Sequence, residues 1–199
     1  MAVAILTRVT EYLDRLPGGI GAFPEAEVKY SVVATWLEGH DAAVLVDSLP
    51  SEVHPLLERE FPVSRWISEV HATTIYLGLR ERFFESDDAF VADALERNRA
   101  LLSKPMYRIL MRLLSRSRAA KGASVTYSQM HRGTELIVTS GSDHWDVTLE
   151  HPPHLVPPLL GRCYATAMRA ALEVKGYHDV YCKPVLFDPE RTLIQVRFD

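Results

Sequence analysis

Three histidines in the last third of the chain have a spacing that could serve metal binding. His151 and His154 flank two prolines, and His144 lies a few residues before them. Because a polyproline helix repeats every three residues, the two flanking imidazoles could project to the same side. Neutral imidazoles suit zinc, copper or nickel when further ligands come from elsewhere in the chain. The alternative is a solvated loop in which histidine occurs by chance. We prefer that alternative, and the sequence predicts no metal site.

Three arginines recur at every fourth position after Pro105. On a helix, Arg108, Arg112 and Arg116 would line one face. A phosphate or carboxylate could bind to such a row. Alternatively, the row is a solvated face whose cations complement the C-terminal end of the helix dipole. The row is the candidate anion-binding site of the chain.

The sequence contains none of the short motifs that mark common catalytic sites. There is no Gly-x-Ser-x-Gly elbow, no phosphate-binding P-loop, no Gly-x-Gly-x-x-Gly and no His-Glu-x-x-His. The run Ser140-Gly141-Ser142 falls in a predicted hairpin turn. The sequence therefore favours a protein that is not an enzyme. A catalytic site assembled from distant residues is the alternative.

The composition is that of an ordinary globular protein. Of 199 residues, 47% are apolar and 24% are charged, and the net charge is −4. This charge is too small to indicate a nucleic-acid partner. No apolar run approaches the ~20 residues of a membrane-spanning helix, and the N-terminus is predicted to be an amphipathic helix rather than a signal peptide. We therefore expect a cytoplasmic protein whose cysteines, Cys163 and Cys182, are free thiols.

The first 120 residues are predicted to be almost entirely helical, because apolar-periodic segments alternate with helix breakers and capping residues. The predicted helices are Val3 to Leu16, Glu25 to Leu37, a short helix after Asp41, Glu52 to Glu60, Arg65 to Phe84, one after Ser86 and one after Pro105. Ser64 is the predicted N-cap of the longest of these, in which Trp66 and Val70 belong to one apolar stripe.

The last third is predicted to be a sheet with one long helix. The predicted strands are Val125–Ser128, Glu135–Thr139, Trp145–Leu149, Val180–Lys183 and Leu193–Phe198. A helix from Pro157 to Lys175 is expected to end at Gly176. The predicted fold is α+β, with an N-terminal helical layer packed on a C-terminal antiparallel sheet that carries one long helix. Residues 1–121 and 122–199 are expected to form two subdomains around one shared core.

Short runs along the chain resemble a known group of proteins. They are Val28-Lys29-Tyr30-Ser31, Leu49-Pro50-Ser51-Glu52, Phe61-Pro62-Val63-Ser64-Arg65-Trp66 and the final strand Gln195-Val196-Arg197-Phe198. In these runs and in the order of its C-terminal elements, the chain resembles an uncharacterised sensory-domain family abundant in myxobacteria. That family resembles vinyl-reductase-type domains, haem–nitric-oxide-binding domains and small subunits of the Golgi transport-particle (TRAPP) complex. The resemblance implies their fold and a signalling role.

The chain departs from two of these groups at functional positions. Vinyl-reductase-type domains often carry several cysteines in the final hairpin, whereas here Cys182 stands alone, so a cysteine-bound metal is not expected there. The haem-binding group has a tyrosine–serine–arginine signature that holds the haem propionates. The nearest run, Val138-Thr139-Ser140-Gly141-Ser142, lacks both the tyrosine and the arginine. Haem binding of that kind is therefore not expected, and the sequence assigns no cofactor.

The resemblance and the absence of catalytic motifs lead to the hypothesis of a non-enzymatic sensor or signalling module that binds a small molecule or a partner protein. Its pocket would lie between the N-terminal helices and the sheet. The candidate lining residues, chosen for aromatic bulk with a few polar groups, are Trp66, Val70, His71, Thr74, Tyr127 and Trp145. His71 could contact a haem iron. The alternative is a hydrogen-bonded core histidine, which is the commoner case.

The alternative is a scaffold without a ligand, as the resemblance to transport-particle subunits implies. Small residues along the predicted helix from Pro157 to Lys175 would allow close approach either to its own sheet or to a second copy of the chain. We therefore expect a homodimer or a signalling-protein partner, formed through the C-terminal half.

Overall fold

The computed structural model describes residues 6–104, 119–141 and 144–198. Within them the α-helices are α1 (Thr7–Asp14), α2 (Tyr30–Leu37), α3 (Ala43–Val46), α4 (His54–Glu58), α5 (Glu69–Phe83), α6 (Asp87–Ser103), α7 (Ala119–Ser128) and α8 (Pro158–Lys175). The strands are β1 (Glu27–Lys29), β2 (Trp66–Ser68), β3 (His131–Arg132), β4 (Glu135–Ser140), β5 (Trp145–Glu150), β6 (Tyr181–Phe187) and β7 (Arg191–Arg197). Short 3₁₀ turns lie at Gly19–Gly21 and Ser51–Val53.

The larger sheet has four antiparallel strands in the order β4-β5-β7-β6. Val147 on β5 lies opposite Val138 on β4 and Ile194 on β7. Alternate residues of β5 and β7 are buried, which is the period expected of a sheet with one face against the core. The α+β class is confirmed, with helices packed on an antiparallel sheet.

Helix α8 packs between the larger sheet and α6. A Cβ at Gly161 would collide with the ring of Phe187 on β6, so glycine allows the close approach of helix and strand. Arg99 of α6 forms an ion pair with Glu173 of α8, Nε to Oε2 2.7 Å. The helix ends where the sequence predicted, because Gly176 has a left-handed φ of 94° and Tyr177 donates its N–H to Leu172 O.

Two predicted helices of the first half begin later than expected. Residues Glu27–Lys29 and Trp66–Ser68 form β1 and β2, which pair with Val28 opposite Ile67. The stripe containing Trp66 is therefore partly on a strand, and the N-cap of α5 is Ser68, whose Oγ accepts from Val70 N, rather than Ser64. Pairing between segments far apart in the chain outweighs the local helical pattern here.

The predicted strand Val125–Ser128 is wrong, because these residues end helix α7. Its β-branched and aromatic residues favour a strand locally, but so short a run cannot distinguish a strand from a buried helix segment. The chain instead forms β3 at His131–Arg132, which pairs with β1 and completes a small sheet in the order β2-β1-β3. This sheet joins the N-terminal helices to the C-terminal half.

One hydrophobic cluster contains residues from both ends of the chain, including Val9 and Val196, each fully buried. The division into residues 1–121 and 122–199 stays a prediction, and its boundary falls inside α7. None of the helices described is long and apolar enough to cross a membrane.

Candidate ligand cavity

An apolar cavity lies where α6, α7 and α8 meet the start of the larger sheet. Its volume is about 170 Å³. The residues that line it are mostly aliphatic and aromatic: Val32, Trp36, Tyr76, Asn98, Leu101, Leu102, Ala123, Thr126, Tyr127, Met130, His131, Leu136, Trp145, Leu160, Cys163, Tyr164, Ala167, Met168, Ala171, Leu172 and Lys175. The cavity is therefore formed by elements from both halves of the chain.

Two of the six candidate ligand residues, Tyr127 and Trp145, line this cavity. Trp66 instead lies on the small sheet, where the guanidinium of Arg132 is 3.8 Å from its ring centroid. Val70 and Thr74 belong to the core of α5, and the Thr74 hydroxyl donates to Val70 O over 2.8 Å. Neither has a side chain in the cavity wall, so their roles as ligand contacts stay predictions.

His71 is half-buried on α5 and is not part of the cavity wall. Burial lowers the pKa of its imidazole, and the charge of Glu52 opposes this effect. Because His71 lies outside the cavity, the structure gives no support for its role as a haem ligand, and that role stays a prediction.

The candidate anion row, Arg108, Arg112 and Arg116, lies outside the described residues, so anion binding by the row stays a prediction. The histidines near β5 are in the part of the chain that the structure describes. They lie in different environments. His151 is buried, with Nδ1 3.0 Å from Pro152 O, whereas His154 is exposed. Among the described residues, no group of three or more His, Cys, Asp or Glu side chains could hold a metal ion.

A buried carboxylate lies beside the cavity. Glu69 is the first residue of α5 and is only 4% exposed. Its backbone N–H donates to Ala26 O, which ties the start of the helix to the residue before β1. The Tyr164 hydroxyl donates to Glu69 Oε1 over 2.9 Å. The N-terminal end of a helix favours a negative charge, so the fold places this carboxylate where the helix dipole stabilises it.

His131 and Tyr127 connect this carboxylate to the cavity wall. The His131 Nδ1 atom is 3.4 Å from Glu69 Oε1, and the imidazole is stacked on the Tyr127 ring. The Tyr127 hydroxyl is 2.7 Å from Thr134 Oγ1. Burial, reinforced by the charge of Glu69, raises the pKa values of Tyr127 and Tyr164, so both hydroxyls stay protonated.

Three polar atoms of this cluster are buried without a hydrogen-bond partner among the described residues. They are Glu69 Oε2, the Tyr76 hydroxyl and His131 Nδ1, the last within ion-pair distance of Glu69 but without hydrogen-bond geometry. Burial, followed by the charge of Glu69, also raises the pKa of Tyr76 well above its ordinary value. Leaving a buried polar group unpaired costs about 1–3 kcal/mol. Such a concentration of unpaired groups beside a cavity is a feature that requires an explanation.

Sequence reasoning missed Glu69, Tyr76, His131 and Tyr164. Glu69 fell inside the predicted Arg65–Phe84 helix, so its position as the first residue of a helix was hidden. Tyr127 and His131 lie on different elements, α7 and β3, so no helical spacing pointed to their stack.

Cys163 is buried in the cavity wall, and Cys182 lies on β6; both are free. Burial raises the pKa of Cys182 to about 12 and raises that of Cys163 further. Both therefore remain thiols at neutral pH, and neither has the depressed pKa of a nucleophilic cysteine.

Comparison with models of known protein families finds no match, and comparison with the sequences of curated proteins finds none either. Several solved structures share the fold. A Cs H-NOX mutant with 4-cyano-L-phenylalanine is 12% identical with a TM-score of 0.54, covering 86% of this chain and 96% of that one. An H-NOX protein from S. oneidensis in the Fe(II)NO ligation state is 9% identical with a TM-score of 0.53, covering 86% and 99%.

A T. Tengcongensis H-NOX mutant is 12% identical, has a TM-score of 0.52 and covers 86% of this chain and 97% of that one. At this identity the likeness is one of fold. It agrees with the haem–nitric-oxide-binding part of the sequence resemblance. No comparison supports the resemblance to the myxobacterial family, to vinyl-reductase-type domains or to transport-particle subunits.

The residues of the cavity do not fit a haem group. A cavity of about 150 Å³ in another protein binds benzene, and the present cavity of about 170 Å³ is of similar size, whereas a porphyrin is several times larger than benzene. Among the described lining residues the one histidine is His131, which lies flat on Tyr127 with Nδ1 towards Glu69. The volume of the cavity, rather than the contacts of this imidazole, argues against a haem group.

Proposed function

We propose that this protein is a non-enzymatic sensory module that binds a small apolar molecule in the cavity between α6, α7, α8 and the sheet. The observation that carries the proposal is the cavity itself, which is lined almost wholly by apolar side chains. Small-molecule sites are typically concave and apolar, with few polar groups to fix orientation. No catalytic step is assigned to the residues around it.

The size of the cavity limits the ligand. By comparison with a cavity of about 150 Å³ that accepts benzene, the volume of about 170 Å³ suits a molecule with one aromatic ring and a small substituent. Burial of apolar surface contributes roughly 25 cal/mol per Å². A ligand of this size therefore binds through shape and the hydrophobic effect.

A route for signalling follows from the position of α8. This helix contributes Cys163, Tyr164 and Met168 to the cavity wall, and through Gly161 it contacts Phe187 on the edge strand β6. An occupant that changes the position of α8 would therefore act on β6. The partner protein expected from the sequence would respond to that strand.

A second function, self-association, is favoured by the surface of β6. This edge strand exposes large apolar side chains, namely Tyr181, Val185, Leu186 and Phe187, each between 39% and 52% exposed. The sequence analysis placed self-association on the helix from Pro157 to Lys175 and its sheet, and α8 itself packs against α6 and the sheet. We therefore propose β6 rather than α8 as the surface for a second copy.

Toluene is a suitable probe for the ligand site, because it has the size and polarity of the cavity. We expect toluene to raise the thermal midpoint of the wild-type protein, as any ligand that binds only the folded state must. Ala171→Phe should fill the cavity and abolish the rise. Ala92→Phe, which places the same ring on an exposed position of α6, is the matched control and should keep it. If toluene leaves the wild-type midpoint unchanged at saturation, the proposed function is wrong.

A further inference from the structure

The volume of the cavity does not distinguish an aromatic molecule from a saturated ring of the same size, but the chemistry of its wall does. Six of the described lining residues carry an aromatic ring, namely Trp36, Tyr76, Tyr127, His131, Trp145 and Tyr164. Three more carry sulfur, namely Met130, Cys163 and Met168. Two of the three tryptophans of the chain are therefore in this wall, and polarisable groups occupy much of it.

The rings reach the cavity from several sides of the fold. The six aromatic residues belong to six different elements, α2, α5, α7, β3, β5 and α8. Neighbouring rings are inclined to each other. The planes of Trp36 and Tyr76 differ by 42°, with the centroids 5.1 Å apart, and those of Tyr127 and Tyr164 differ by 58°. Inclined rings cannot all turn the same part towards a shared space, so the wall includes ring edges as well as ring faces.

This mixture of faces and edges suits an aromatic occupant. An aromatic ring carries a quadrupole with negative faces and a positive edge. A flat aromatic molecule can therefore place its face against an edge in the wall and its edge against a face. A saturated ring has no such quadrupole and gains only the burial of its surface. One aromatic contact of this kind corresponds to roughly two- to tenfold in affinity beyond burial.

Helix α8 contributes both sulfur and space to the wall. Cys163 and Met168 line the cavity from this helix, and a thioether makes favourable contacts with aromatic rings that an aliphatic side chain does not make. Ala167 and Ala171, one turn apart, line the same cavity. Their small side chains leave room for a ring to lie against the helix beside Met168.

We propose, on the basis of the proposed function, that the natural ligand is a planar aromatic molecule, and that the aromatic and sulfur-containing wall selects it over a saturated ring of the same size. Burial of apolar area alone gives the opposite order. A saturated ring has more hydrogen atoms and a larger apolar surface than the aromatic ring with the same carbon skeleton. If only area counted, it would bind at least as tightly.

Toluene and methylcyclohexane test this inference, because they share one carbon skeleton and differ in aromaticity. Calorimetric titration of the wild-type protein with each compound gives the ratio of the two affinities. We expect toluene to bind at least about fivefold more tightly than methylcyclohexane. The ratio is the informative quantity, because a change in cavity volume or in stability acts on the binding of both compounds.

Two variants assign the preference to the wall. Tyr76→Leu removes one ring and should lower the ratio by at least about twofold. Tyr181→Leu, the same change at an exposed position on β6, is the matched control and should keep the wild-type ratio. Met168→Leu nearly conserves the volume and removes the sulfur. It should weaken toluene binding by about twofold and leave methylcyclohexane binding unchanged.

The outcomes separate this inference from the proposed function. Methylcyclohexane that binds the wild type as tightly as toluene overturns the selection for aromatic molecules but leaves the cavity as a ligand site. Failure of both compounds to bind overturns the proposed function as well. A ratio that is unchanged in both Tyr76→Leu and Met168→Leu overturns the assignment to the wall. If Tyr76→Leu does not fold, the ratio for Met168→Leu decides alone.

Discussion

The imidazole of His131 lies flat against the phenol ring of Tyr127, with the ring centroids 4.3 Å apart and the planes within 5° of each other. The two residues are four positions apart but belong to different elements, α7 and β3. Their stack holds the end of the helix against the small sheet and forms part of the cavity wall. The same imidazole is 3.4 Å from Glu69, so one residue connects the small sheet, α5 and the cavity.

Tyr164→Phe should destabilise the protein, because it removes the hydroxyl that donates to Glu69 Oε1 and leaves the carboxylate with less hydrogen bonding. Loss of a partner to a buried charged group costs about 1–3 kcal/mol. Urea unfolding should show a lower midpoint with an unchanged m-value. Tyr181→Phe, the same change at an exposed position on β6, should alter the free energy of unfolding by less than about 0.5 kcal/mol. Equal effects of the two variants would contradict the account of the buried cluster.

Arg97 should stabilise the end of α2. Its Nη1 donates to Thr35 O over 2.7 Å and to Glu38 O over 2.8 Å, and its Nε pairs with Asp93. Lysine cannot reproduce this fork of donors. Arg97→Lys should therefore lower the free energy of unfolding by about 1–3 kcal/mol, whereas Arg82→Lys at an exposed position of α5 should have little effect. Denaturant unfolding of both variants measures the difference. An Arg97→Lys variant as stable as the wild type would be evidence that Arg97 does not stabilise the end of α2.

Acid should weaken the contact between α6 and α8. The hydrogen bond from Arg99, opposed by burial and reinforced by Arg169, holds the pKa of Glu173 below its ordinary value of 4.5. Because the folded-state pKa is depressed, the carboxylate stabilises the fold above its unfolded pKa and loses that contribution as the pH falls through the folded value. Glu173→Gln should therefore be less stable than the wild type at neutral pH.

The difference in free energy of unfolding between the wild type and Glu173→Gln should shrink as the pH falls from about 5 towards 3. Urea unfolding at several pH values measures it, with Glu190→Gln, at an exposed turn position, as the control. A gap between wild type and Glu173→Gln that is the same at all pH values would show that the ion pair does not cause it.

The purified protein should show no strong Soret absorption, because the cavity is too small for a porphyrin. Addition of haemin should likewise give no stoichiometric complex. A one-to-one haem complex whose spectrum is lost in His71→Ala would overturn this expectation and assign His71 as the ligand.

Self-association, if it uses β6, should depend on the exposed apolar side chains of that strand. Val185→Lys adds a charge at a position that is 51% exposed, and edge-strand lysine opposes strand pairing. Sedimentation velocity at micromolar concentration should show a dimer for the wild type and a monomer for the variant. Val63→Lys, at a position 67% exposed away from β6, should remain dimeric. A monomeric wild type would remove the second proposed function.

Features set by local chemistry were predictable from the sequence. A helix begins after Ser86, which accepts from Ala89 N, and Gly176 ends α8, both at the positions predicted, because helix ends depend on a few adjacent residues. The larger sheet followed from alternating β-favouring runs separated by turns. Each of these features is determined by residues within the same short segment of the chain.

Features that depend on pairing between distant segments were not predictable. Strands β1 and β2 have three residues each and exist because Val28 pairs with Ile67, some forty positions away. Without that pairing the start of α5 could not be located, and Glu69 could not be recognised as a buried helix N-terminal carboxylate. Of the predicted ligand residues, Tyr127 near the end of α7 and Trp145 at the start of β5 line the cavity.

Diffraction from a crystal pressurised with xenon tests the central claim most directly, since apolar cavities take up xenon. The account predicts a xenon site inside the cavity, in contact with Cys163, Met168 and Tyr127, and its loss in Ala171→Phe. An empty map at that position, with lining side chains packed into the space, would contradict the existence of a ligand cavity.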